Sequence, residues 1–161
     1  MTPTETPPDP PKFALEPLSA QQVNLMWPQL KPAIKASLPP TDKTDEAGAM
    51  NNVLVAVMKG ELQVWIATKR DGESIQPYGG IVTSIVNGAI DAGIRHLWIY
   101  AVFLHDAPPR DLVGVIVETL RAFAKLNGCK DIFAITDNKD IMRLVEGLNG
   151  ATDYRLVRLE V

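Results

Sequence analysis

The sequence predicts an α/β (α+β) domain: a central mixed sheet, an antiparallel meander followed by a parallel strand–helix–strand unit, flanked by helices. Three observations predict it. Residues 61–86 hold two apolar segments joined by the Asp71-Gly72 turn signal, the pattern of antiparallel neighbours. LWIYAVFL (97–104) is apolar throughout, which suits a central strand covered on both faces. An amphipathic helix separates it from KDIFAIT (130–136), and such a connection implies parallel pairing.

Residues 1–12 form an arm of their own. Five prolines (3, 7, 8, 10 and 11) remove amide donors and favour extended polyproline conformation. Such an arm can order on a partner, so Pro7, Pro8, Pro10, Pro11 and Phe13 are candidate partner-binding residues. Residues 13–161 then make one domain, large enough to bury a core.

Ser19 and Gln22 spell a capping box ahead of Val23, Met26, Trp27, Leu30 and Ile34 at helical spacing. Pro28 and Pro32 interrupt that pattern, so two short helices or one kinked helix are expected. Residues 39–48 read as a polar link. AMNNVLVAVMKGE reads as a helix ending near Gly60, although VLVAV alone could be a strand. In the strand ELQVWIATKR, Leu62, Val64 and Ile66 alternate against Gln63 and Trp65, and Thr68, Lys69 and Arg70 form a solvated basic rim. A second strand lies around Gly80–Val86, with Gly79-Gly80 marking a turn or bulge at its start.

The helix after LWIYAVFL places Leu112, Val113, Ile116, Leu120, Phe123 and Ala124 on one face and Glu118, Arg121 and Lys125 on the other. Asp106 or Asp111 is its expected cap, with Pro108 and Pro109 in its first turn and Asn127-Gly128 at its end. DNKDIMRLVEGLNG reads as a second amphipathic helix and YRLVRLEV as a terminal strand.

Composition narrows the function classes. The chain has 161 residues, 46% of them hydrophobic and 22% charged, which are the proportions of a globular protein. Its net charge of −3 gives no basic field for nucleic acid or an anionic membrane. One cysteine, Cys129, cannot form an internal disulfide, and with His96 and His105 it shows no metal-ligand spacing. No signal peptide is visible, and no apolar run approaches the ~18 residues of a membrane span. No metal, nucleic-acid or membrane partner is expected.

Two passages carry a family resemblance: LWIYAVFL leading into VETLRAFAKLNGCKDIFAIT, and DNKDIMRLVEGLNGA. Their layout resembles the GNAT fold of acyl-CoA-dependent N-acetyltransferases over roughly residues 15–161, with Ala124, Gly128 and Asn138 at matching places. MWPQLKPAI, GELQVW and FAKLNGC also look like words of small GNAT-like proteins encoded among virion genes of tailed phages. The resemblance implies acetyl-CoA, with its diphosphate on a glycine-containing turn at a helix start. The matching turn here is Pro108, Pro109, Arg110, Asp111, Leu112 and Val113, and both glycine places, Asp111 and Val113, carry side chains. Asp111 beside a diphosphate would cost roughly a few kcal/mol at contact distance. Many members also use a tyrosine to protonate the departing thiolate, and Val145 stands at that place. His105 and Asp106 lie near the strand end where a base would sit but read as loop and cap, and Tyr154 lies farther on.

These departures point to a GNAT-like structural or interaction protein with no catalytic residues and no cofactor. A phage virion or virion-associated component is expected, located in the virion or the host cytoplasm, with virion proteins or further copies of itself as partners. The alternative is a divergent acetyl-CoA-dependent N-acetyltransferase that holds its coenzyme through Ile99, Ala101 and Phe103 of the strand and through Arg110. A ligand sensor using the same cleft is a second alternative.

Overall fold

The computed structural model describes residues 9–39, 48–136 and 138–152. In order these are β1 (Phe13–Pro17), α1 (Ala20–Ser37), α2 (Ala49–Met58), β2 (Gln63–Asp71), β3 (Ser74–Asn87), β4 (Arg95–Leu104), α3 (Arg110–Leu126), β5 (Cys129–Ala134) and α4 (Lys139–Gly147). The sheet order is β1-β2-β3-β4-β5. β1 through β4 pair antiparallel, and β4 and β5 pair parallel. The meander and the parallel unit expected from the sequence are therefore both present.

Both faces of the sheet are covered. Along β2, Trp65 and Ala67 pack with Leu112, Leu120 and Ala124 of α3, while Val64 and Ile66 pack with Val23, Leu30 and Ile34 of α1 and Met50 and Val57 of α2. Trp65 thus does not oppose the core, as simple alternation implied. It is 3% exposed, edge-on to Phe123 with ring centroids 4.9 Å apart. Strict period-two geometry sends successive side chains to opposite faces, and here each face has its own helical cover.

β1 was not expected. Phe13 and Leu15 alternate into the α3-side core, and Phe13 pairs opposite Lys69. Two apolar positions next to prolines give a weak local signal, so the strand exists because β2 offers it an edge. Phe13 is only 6% exposed, packed in the α3-side core. Pro10 and Pro11 are exposed just before β1, while Pro7 and Pro8 lie outside the described residues, as does the expected terminal strand 154–161.

α1 is one continuous helix, capped by the expected reciprocal pair: Gln22 N–H donates to Ser19 Oγ at 3.2 Å and Ser19 N–H to Gln22 Oε1 at 2.8 Å. Pro28 and Pro32 do not divide it. They lie four apart on its exposed face, so the carbonyls deprived of partners, those of Asn24 and Pro28, are on the side open to water. α2 is the helix expected, closed by Gly60 at φ 75°. β3 begins at Ser74, so Gly79 and Gly80 lie inside the strand instead of at its start. A Cβ on Gly79 would stand 2.8 Å from Leu104 Cα, and one on Gly80 2.7 Å from Trp65 O, so the neighbouring strands leave room for main chain only.

Candidate functional site

The site is built where β4 and β5 part. Their pairing runs from Arg95 opposite Cys129 to Ile99 opposite Ala134, where β5 ends. β4 continues through Leu104, so its last residues run on without β5 beside them. A crevice at the carboxyl ends of diverging parallel strands is the usual ligand position in open α/β sheets.

β4 is also irregular at this point. Val82 pairs with Ala101 but Thr83 pairs with Ile99, so Tyr100 is an extra residue in β4. The side chains record the bulge: Leu97 and Ile99 pack toward α3, Tyr100 and Ala101 both pack toward α1 and α2, and Val102 returns to the α3 side. The bulge falls where the β4–β5 pairing ends.

α3 starts six residues after β4 ends. Its N-cap is Pro109, in extended conformation, and no side chain caps the helix. Pro108 and Pro109 therefore precede the first turn instead of occupying it, and neither Asp106 nor Asp111 is the cap. Val113 N–H donates to Pro109 O at 3.1 Å. The N–H groups of Arg110, Asp111 and Leu112 have no acceptor among the described residues. Three free amides at the positive end of a 17-residue helix favour an anion.

The obstruction expected from the turn is smaller than its residue types imply. Leu112 is fully buried and Val113 is 9% exposed, so both side chains turn into the core instead of standing over the turn. Asp111 and Arg110 are exposed, and Pro108 is half-buried. Of the two glycine places, only Asp111 keeps a side chain outward.

The remaining candidates are dispersed. Ile99 is the last β4 residue paired with β5, so its main chain is engaged, whereas Ala101 and Phe103 lie beyond that pairing. His105 and Asp106 sit in the exposed loop between β4 and α3. Val145 lies on α4, half-buried, with its carbonyl accepting from Leu148 and Gly150 N–H. Tyr154 lies outside the described residues. Asn138 opens α4, its Oδ1 accepting from Ile141 N–H at 3.4 Å. Ala124 packs in the core and Gly128 ends α3 at φ 66°, so the alanine and glycine of the α3 end have structural uses.

Sequence reasoning overlooked a pocket beside this crevice. Lys69, Gln76, Pro77, Tyr78, His105 and Asp106 line a cavity of about 260 Å³. Lys69 had the look of a solvated rim, and only the β2–β3 register brings it to the β4–α3 loop. Among the described residues no group of three or more His, Cys, Asp or Glu is placed to hold a metal ion, and no helix is long and apolar enough to cross a membrane.

No family model and no curated protein matches the sequence. Solved structures do match the fold. An aminoglycoside acetyltransferase from an uncultured soil metagenomic sample superposes with a TM-score of 0.63 at 14% identity, over 92% of this chain and 97% of that one. The acetyltransferase AAC(6′)-Iy, in complex with the bisubstrate analogue CoA-S-monomethyl-acetylneamine, gives 0.66 at 13% identity, over 92% and 97%. A ribosomal-protein-alanine N-acetyltransferase from Brucella melitensis biovar Abortus 2308 gives 0.62 at 11% identity, over 92% and 99%.

Proposed function

Because the chain has the GNAT fold, we propose that it is a divergent acyl-CoA-dependent N-acetyltransferase, which moves an acetyl group from acetyl-CoA to an amine. One observation carries the reading: the end of β4 that β5 leaves uncovered lies a short loop away from the uncapped start of α3.

The donor set fits the coenzyme. Its pantetheine arm contains amides that can pair with an open strand edge, and the main chain of residues 101–104 supplies that edge. Its diphosphate needs N–H donors, which Arg110, Asp111 and Leu112 supply, with the exposed guanidinium of Arg110 adding charge. The Tyr100 bulge lies just before residues 101–104. Bound there, the coenzyme supplies an activated acyl thioester. The residues named here hold and orient it, and they do not themselves transfer the proton of the amine. The similar structures named above are acetyltransferases, one with a bisubstrate analogue containing coenzyme A bound. They favour this reading over the non-catalytic one, and a virion role has no support among them.

A second reading keeps the coenzyme without the chemistry. Asp111 sets an outward carboxylate at a glycine place, and Val145 has no proton to give the departing thiolate. A thiol-release assay with purified protein, acetyl-CoA and a panel of primary amines separates the two. Amine-dependent release of free thiol is expected. Acetyl-CoA binding without release, for every amine tried, would favour a ligand sensor or interaction module.

A further inference from the structure

We propose that the pocket between the β2–β3 end and the β4–α3 loop binds the 3′-phosphate of the coenzyme's nucleotide, with Lys69 as the principal cation; this rests on the acyl-CoA reading above.

The pocket is made by register. Lys69 pairs across the strands with Gln76. Ala67 then pairs with Gly79 and Thr68 with Pro77, so Tyr78 is an extra residue that bows β3 outward. That bow meets the loop after β4: His105 N–H donates to Tyr78 O at 3.1 Å, and Tyr78 Oη donates to Ala107 O at 3.2 Å. The loop that delivers the chain to α3 is thereby fastened to β3, and a cavity of about 260 Å³ opens beside it.

Its lining suits an anion. Lys69 brings an ammonium, His105 an imidazole and Gln76 a side-chain amide, while the Tyr78 hydroxyl is spent on the Ala107 carbonyl. Lys69 makes no ion pair among the described residues, although Asp106 lines the same pocket. A half-buried, unpaired ammonium in a concave site is a point charge suited to phosphate. The pocket also adjoins the loop that leads to the start of α3. Its wall is formed by His105 and Asp106, and the free amides of α3 begin at Arg110, on the same connection. A coenzyme whose diphosphate rests on those amides has its nucleotide end within reach of this loop. The Asp106 carboxylate opposes the phosphate and limits the affinity.

Calorimetric titrations with acetyl-CoA and 3′-dephospho-acetyl-CoA test this on the wild type, Lys69→Gln and Asp106→Asn, with thermal melts confirming that each variant folds. The wild type is expected to bind acetyl-CoA about tenfold more tightly than the dephospho form, the effect of one charge-assisted contact. Lys69→Gln is expected to abolish that preference, and Asp106→Asn to increase it. Equal binding of both coenzymes by the wild type, or an unchanged preference in Lys69→Gln, would overturn this assignment and leave the acyl-CoA reading intact. Failure of the wild type to bind either coenzyme would overturn both.

Discussion

Trp65 anchors a buried polar chain. Its Nε1–H donates to Thr83 Oγ1 at 2.9 Å, and the Thr83 hydroxyl donates to Gln63 Oε1 at 3.0 Å. Thr83 is fully buried, so Thr83→Val would leave the indole N–H without its partner. A loss of about 1–3 kcal/mol is expected, read by urea unfolding. Thr83→Ser should recover most of it by keeping the hydroxyl. Gly80 is constrained by volume instead. Gly80→Ala would press a methyl onto the Phe103 ring and the Trp65 carbonyl, and should cost about 1–3 kcal/mol in the same assay. Neither feature was legible in the sequence. Residues 63, 65 and 83 meet only through strand register, and the need for bare glycine at residue 80 comes from strands on either side.

At the level of elements, legibility follows the distance over which each element is stabilised. α3 is marked by its own periodicity, and the capping box of α1 lies within four residues, so both could be read directly. β1 depends on pairing with a strand about fifty residues away, and its two inward side chains are too few to announce it. Phe13→Ala tests its place in the core. A loss of about 3–5 kcal/mol is expected in chemical unfolding, whereas a residue reserved for a partner would leave the isolated chain unchanged. The unbroken course of α1 through Pro28 and Pro32 also escaped the sequence pattern, because periodicity does not say which carbonyls face water. Pro32→Ala restores an amide within the helix and should stabilise the protein by about 1–3 kcal/mol, measured as a higher unfolding midpoint. A lower midpoint would mean that the proline is needed in the packing of the helix.

For the molecule as a whole, the order of elements proved more durable than the residues in the crevice. Solved acetyltransferases share this arrangement over 92% of the chain at only 11–14% identity. The sheet survives such divergence because many apolar combinations can fill the layers on its two faces. The crevice was harder to read for a different reason. Its donors are main-chain amides, so the residue types at the turn describe its obstruction and say little about its hydrogen-bonding capacity. Val113 shows this: as a letter it fills a glycine place, and as a folded residue it faces inward. The amides themselves can be observed. Two-dimensional ¹H–¹⁵N spectra recorded during titration with acetyl-CoA should show saturable shifts at Ala101 to Leu104 and at Arg110, Asp111 and Leu112, with β1 and α1 little changed. Spectra in which those amides stay fixed while the coenzyme is in excess would contradict the placement of an acyl-CoA between β4 and α3.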